Sequence, residues 1–275
     1  MDVLIVKRKQ QNHVAKSTID KMEIGQTQDS SFDQDISFEL KIPFQSLAVT
    51  TATTQISSLV FCLAWSVKFN FYESTATHCR VDNYLPSLSA TLDFTPQRDV
   101  WRTCIGLSGV PRFFIAYLYY QIIFKSKPLL WLHWIEISAL IGLSIVDSIR
   151  YFSFHATCVG IFLITSIIHM ALVCNDHVKP DLAALSETTR QKLRTTKLVK
   201  KRIAILNFFT IVAALYLYDR HNRYCEIGVY SMFSFLEYIV IVLNITYHLQ
   251  AYYDLAEYSI VVAKVDREVK KKFSR

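Results

Sequence analysis

The residues of this 275-residue chain that could do chemistry gather in two polar stretches. One reads Asp219-Arg220-His221-Asn222-Arg223-Tyr224-Cys225-Glu226-Ile227. A histidine oriented by a carboxylate can act as a general base for acyl transfer. His221 is therefore the candidate base, with Glu226 or Asp219 to orient it. Arg220 and Arg223 are candidates for holding a lipid phosphate, because a guanidinium offers paired donors to phosphate oxygens. The other stretch, 69–102, carries His78, Asp82, Asn83, Tyr84, Arg98, Asp99 and Arg102. His78, Asn83 and Tyr84 are further substrate-binding candidates, and His155 lies just before an apolar run. The plainer reading is a pair of interfacial loops whose His and Arg meet headgroups. His78-Cys-Arg-Val-Asp82 is one residue short of the H-x4-D of glycerolipid acyltransferases. Gly106-Leu-Ser108-Gly109 is followed by Val110, so it is not a nucleophile elbow. Metalloprotease, phosphate-loop and paired-cysteine zinc patterns are absent. No cofactor is expected and no metal, since the histidines within apolar runs sit at different depths.

The elements that must position these groups are membrane-length. Spanning a hydrocarbon core takes about 20 mostly apolar residues. Six segments qualify, near 46–67, 103–124, 129–147, 156–174, 203–218 and 228–249. The expected fold class is all-α: a polytopic membrane protein with six transmembrane helices. Lys and Arg test the arrangement independently. With a cytosolic N-terminus, the cytosolic pieces 1–43, 125–128, 175–202 and 251–275 hold 22 of them. The opposite loops 69–102, 148–155 and 219–227 hold 6. This asymmetry fits the positive-inside rule with both termini cytosolic. The net charge of +7 is thus a membrane signature and no indication of nucleic acid. Residues 1–43 read as a disordered cytosolic tail without a cleavable signal peptide. Residues 44–250 read as the six-helix domain. Residues 251–275 read as a basic cytosolic tail, of which 251–269 either extends the last helix along the interface or is solvated.

Ionisable groups inside spans are costly and mark paired or functional sites. At 1.5 Å per residue, Arg112 and Glu237 each lie roughly 14 Å in from the lumenal side. They are expected to pair at the midplane. Glu136 and His169, near the cytosolic side, form a second expected pair. Either pair could serve only to fix helix packing. Pro111 is expected to kink the helix beside Arg112. Cys79 and Cys225 fall in the non-cytosolic loops, making Cys79–Cys225 the favoured bridge, with Cys79–Cys104 and Cys104–Cys225 as alternatives.

The stretches FYESTATHCRVDNYLPSLSA, PQRDVWRTCIGLSGVPRFFIAY and DRHNRYCEIGVYSMFSFLEY, with Ile168-His169-Met170, resemble the post-GPI-attachment-to-proteins factor 2 family. That family sits within the wider Frag/DRAM/Sfk-type superfamily. The resemblance runs from about residue 44 to 255, with Glu136 and Glu237 at matching positions. It implies a multi-pass protein of the Golgi and endoplasmic reticulum membranes acting in lipid remodelling of GPI anchors. A lyso-GPI-anchored protein there regains a saturated, typically stearoyl, chain at sn-2. The implied partners are GPI-anchored proteins, membrane phospholipid and other GPI-remodelling proteins. The acyl donor would be acyl-CoA or a phospholipid. Two readings follow. One is a lumenal acyltransferase using His221, Glu226 and Asp219. The other is a non-catalytic protein that presents the anchor to a separate acyltransferase. Arg220, Arg223, His78, Asn83, Tyr84, Arg112, Glu136, His169 and Glu237 are the candidate binding residues in both.

Overall fold

A computed structural model describes residues 2–7, 36–174, 180 and 185–265. In chain order the elements are β1 (Asp2–Lys7), β2 (Ile36–Pro43), α1 (Phe44–Phe69), α2 (Phe71–Thr75), α3 (Leu88–Thr91) and α4 (Gln97–Leu118). A π-helical turn, Tyr119–Phe124, follows α4. Then come α5 (Lys127–Ile145), α6 (Phe152–Cys174), α7 (Glu187–Tyr224), α8 (Val229–Leu249), α9 (Ala251–Asp254) and β3 (Tyr258–Val265). The chain forms two compact units, one of residues 48–250 and one of 1–47 with 251–275.

The larger unit is the helical body, and each expected span overlaps one of the long helices to within two residues at its ends or, for 103–124, α4 and the turn after it. Among the described residues, four helices are long and apolar enough to cross a membrane: α1, α5, α6 and Val229–Asp254. The α4 helix carries Arg112, and α7 joins a basic first half to an apolar second half. The burial pattern is that of a protein solvated by lipid. Val110 is 74% exposed and Phe209 63%, whereas Gln97 and Glu136 are fully buried. Polar groups turned inward and apolar ones outward reverse the arrangement of water-soluble proteins. The α5–α6 and α7–α8 pairs pack along their lengths, with α4 on α5 and α6 on α7. A core of Leu59, Cys62, Leu88, Leu92, Trp101 and Ile105 joins α1, α3 and α4. The α4 helix continues through Pro111 without a break in its secondary structure.

The expected loop boundaries shift, because the helices continue beyond the apolar runs. The stretch 69–102 contains α2, α3 and the start of α4. The α6 helix starts at Phe152, and α7 runs on to Tyr224. Disulfide Cys79–Cys225 ties this end together, the favoured of the three pairings. Cys104 is a free thiol.

The helical body fits the all-α expectation, and the smaller unit adds strands, two of which fall within the stretch 1–43. Its three strands form an antiparallel sheet in the order β1-β3-β2. Asp2 stands opposite Ala263, Lys7 opposite Tyr258, and Ile42 opposite Ile260, with a register shift between Ile36 and Glu39. The strands coincide with Val3-Leu4-Ile5-Val6, Ile36–Ile42 and Ile260-Val261-Val262, runs rich in residues that favour extended backbone. Beyond α8, residues 251–254 are helical and 258–265 form a strand. The remainder of both expected tails, 8–35 and 266–275, lies outside the described residues.

Candidate functional site

A cavity of about 930 Å³ occupies the helical body. Its wall is mostly apolar, built from Trp101, Leu140, Leu163, Ile211 and Ile241 among others. The α8 lining runs from Tyr230 to Ile245, about 22 Å at helical rise, more than the ~15 Å half-thickness of a bilayer core. Ile149, Phe152 and Leu215 also line it and are themselves exposed, so the space reaches the lipid-facing surface.

Polar groups concentrate at the disulfide end. Ser87, Leu88, Ser89 and Ala90 of the α3 segment line the cavity there, with His78, Asp93, Ser148 and His155. Ser87 caps α3 by accepting from the Ala90 N–H, 3.1 Å. The Tyr230 hydroxyl lies 2.9 Å from the Ser87 hydroxyl. Glu237 Oε2 accepts from the Leu88 N–H, 2.9 Å, and the Ser89 N–H faces the same carboxylate. Arg112 and Glu237, expected to pair, therefore do not. The free N–H groups at the start of α3 claim Glu237, as helix N-termini do with carboxylates.

Arg112 turns instead to Glu136, with Nη2 3.9 Å from Oε1. The expected Glu136–His169 contact exists at 3.8 Å and belongs to a larger assembly. His248 Nε2 lies 3.0 Å from Glu136 Oε1, and Asn244 Nδ2 donates to that oxygen at 2.9 Å and to Ser166 Oγ at 2.9 Å. The His133 ring stacks on His248 and lies tilted against His169, centroids 4.6 and 4.5 Å apart. These histidines share one depth, contrary to the spread expected from the sequence. Ligand atoms of His133, Glu136 and His248 all lie within 4.8 Å, which suits a cation. Arg112 already brings a positive charge to the same carboxylate. His133, His248, Asn244 and Ser166 were not singled out from sequence, though their spacing offered a signal. His133 and Glu136, Ser166 and His169, and Asn244 and His248 are each three or four residues apart, one face of a helix. Arg112 and Asn244 also line the large cavity, so this cluster forms its far polar end.

Around His221 the expected base–carboxylate pairs do not form. Its Nε2 lies 3.1 Å from the Thr77 hydroxyl, and its ring meets His78 and Tyr230 with centroids 5.9 and 5.0 Å apart. Burial and then the neighbouring His78 hold the His221 imidazole below its ordinary pKa. Glu226 is instead held by Arg220 through two bonds of 2.6 and 2.9 Å, and Asp219 by Arg223 at 2.9 Å. Each arginine sits one to two turns from its carboxylate, close enough to outcompete the imidazole. Hydrogen bonding from Arg220 lowers the Glu226 pKa, and the same contact raises that of Arg220. Asn83 donates to the carbonyls of Thr75 and Val81, 3.1 and 3.2 Å, and is a structural group of its loop. Tyr84 is 62% exposed, with its backbone N–H bonded to the Ser231 hydroxyl at 2.7 Å. His78 and Cys79–Cys225 also cluster, but both cysteines are in the disulfide.

Comparison with known proteins decides the family. The Frag1/DRAM/Sfk1/Cwh43P N-terminal domain family model matches residues 43–258. The protein named Acyltransferase PGAP2 from Xenopus tropicalis is 36% identical over 233 residues, covering 80% of this chain and 90% of that protein. Post-GPI attachment to proteins factor 2 of Caenorhabditis elegans is 33% identical over 249 residues, 84% and 91% of the two chains. The chain belongs to the post-GPI attachment to proteins factor 2 family. The Drosophila melanogaster factor 2 is 32% identical over 233 residues, covering 80% of this chain and 89% of that one. No solved structure matches. The Frag1/DRAM/Sfk1/Cwh43P N-terminal domain match takes in the whole cavity and both of its polar ends.

Proposed function

We propose that this protein acts in the lipid remodelling of GPI anchors, reacylating lyso-GPI-anchored proteins at sn-2 with a saturated, stearoyl chain. The observation that carries the reading is the cavity of about 930 Å³, long, apolar and polar at its ends, at the upper limit of small-ligand sites. It suits a long acyl chain whose ester lies among the polar groups at the disulfide end. The names of the frog, worm and fly relatives, an acyltransferase and two post-GPI-attachment factors, support the same step. The Lys/Arg asymmetry supports both termini cytosolic and the disulfide end lumenal, in the Golgi or endoplasmic reticulum membrane, where the anchor is. Arg220 and Arg223, within two turns of the cavity-lining Tyr218, would meet the inositol phosphate. His221 would hold the Thr77–His78 loop over the cavity.

The unassembled His221 pairs favour a second reading, in which the cavity holds and presents the anchor lipid to a separate acyltransferase. Purified protein in liposomes, given a lyso-GPI-anchored reporter and either stearoyl-CoA or distearoyl phospholipid, separates the two. Formation of diacyl reporter with one donor is the expected result. A protein that retains lyso-GPI but forms no product with either donor establishes the presenting role. A protein that does neither overturns both readings.

A further inference from the structure

Ser89 and His155 face each other across the disulfide end of the cavity, and both line it. The Ser89 hydroxyl lies 3.0 Å from His155 Nε2. His155 Nδ1 lies 3.3 Å from the Val146 carbonyl oxygen. A carbonyl can only accept, so Nδ1 of the neutral imidazole carries the proton and Nε2 is left to accept. The Ser89 hydroxyl therefore donates to His155. This is the geometry of an activated nucleophile: hydroxyl, base, and a third group that sets the tautomer.

Two contacts and the burial of His155 hold the pair in place. Glu237 anchors the start of α3 at Leu88. Ser148, in the segment leading to His155, donates its N–H and hydroxyl to Asp93 just beyond α3, at 3.0 and 2.6 Å. His155 itself is 6% exposed, so little water competes for its ring. Behind it, Val159 and Leu163 follow at one-turn intervals along α6 and line the same cavity. An acyl chain lying along that face would bring its carbonyl to Ser89.

We propose that Ser89 is the acyl-carrying nucleophile and His155 its general base, the substrate being a long-chain acyl ester or thioester. His155 Nε2 takes the Ser89 proton as Oγ forms a bond to the donor carbonyl carbon. The carbon–oxygen or carbon–sulfur bond to the donor breaks, and the leaving group receives the proton from Nε2. An acceptor hydroxyl then gives its proton to His155 and attacks the acyl-serine, and the Ser89 Oγ leaves and is reprotonated. The net change is exchange of the donor's ester or thioester for an ester of the acceptor, with the donor's alcohol or thiol released. The inference rests on the acyl-transfer reading of the cavity and assigns its chemistry.

The test has two arms on the full-length protein in detergent and in liposomes. The first needs no natural substrate. A long-chain alkyl fluorophosphonate should label Ser89, located by peptide mass spectrometry, with loss of fluoride, and labelling should fall about 100-fold or more in His155→Gln. The second measures stearoyl transfer to lyso-GPI from phospholipid and from acyl-CoA separately, identifying the donor. Ser89→Ala should abolish transfer while leaving the size-exclusion profile monodisperse, and an acyl-Ser89 adduct should accumulate when acceptor is withheld. Labelling of Ser89 without transfer from either donor would uphold the pair and overturn the acceptor assignment. Wild-type transfer in Ser89→Ala would overturn the pair and leave the function standing. An unlabelled Ser89 in a monodisperse, transferring wild type would also overturn it.

Discussion

Arg112 is the residue whose partner the sequence misassigns. Depth along the helices leaves it two carboxylates to choose from, and only the tertiary arrangement separates them. Glu237 is taken by the amides of α3, and Glu136 remains, fully buried beside three histidines. Removing one member of a buried pair strands the other, at a cost of about 3–5 kcal/mol. Arg112→Ala should lose that much stability, measured by unfolding in detergent micelles. Adding Glu136→Gln should recover about 0.5–3 kcal/mol of the loss, because the stranded charge is gone. Glu237→Gln combined with Arg112→Ala should instead be additive within about 0.5 kcal/mol. Additivity in the Glu136 combination would show that the guanidinium has another partner.

At the scale of elements, helix contact depends on where small residues let backbones approach. A methyl group added at Gly142 of α5 would meet Cys158 Sγ of α6 at 3.1 Å, and one at Gly109 of α4 would meet Ile141 Cδ1 of α5 at 3.1 Å. The distances match, but the neighbours do not. Ile141 can swing its terminal methyl aside, whereas the buried Cys158 has one rotatable bond. Replacing glycine by alanine in a helix gains about 0.5–1 kcal/mol, and overpacking costs about 1–3 kcal/mol. Gly142→Ala should therefore destabilise the protein and Gly109→Ala should be neutral or stabilising, in thermal unfolding. Cys158→Ala should relieve Gly142→Ala, and failure to do so would place the strain elsewhere. Elements of this kind were legible to different degrees. The long helices show directly as apolar runs, because a span must solve its own backbone hydrogen bonding within one continuous segment. The sheet is hidden, because β1 and β2 need β3, more than two hundred residues onward, to complete their hydrogen bonds. The Glu136 cluster was half legible. Its histidines and Asn244 recur at helical spacing, but which faces of four helices meet is settled by packing. Ser89 and His155 carry no common pattern at all, being brought together by the fold of α3 against α6.

At the scale of the molecule, a cavity this large is a standing cost. Unfilled apolar space forgoes the dispersion contacts and close packing that stabilise interiors. A helical body with no need for the space would gain by closing it, and Gly160 marks where that could happen. It lines the cavity on α6, and a Cβ added there meets nothing within 4 Å. Gly160→Phe should place a ring in the acyl path without displacing a neighbour. Stability should rise, by a few tenths of a kcal/mol from helix propensity, with ring burial adding to it. Stearoyl transfer and retention of lyso-GPI in liposomes should both fall sharply. Gly106→Phe is the matched control, since its added Cβ also meets nothing but faces outward from α4 and away from the cavity. The control should leave transfer unchanged. A protein made more stable and less able to hold lipid by one side chain would show that the cavity is kept open for lipid. If Gly160→Phe kept full lipid retention and transfer, the acyl chain must lie elsewhere, and the cavity would lose its place in the function.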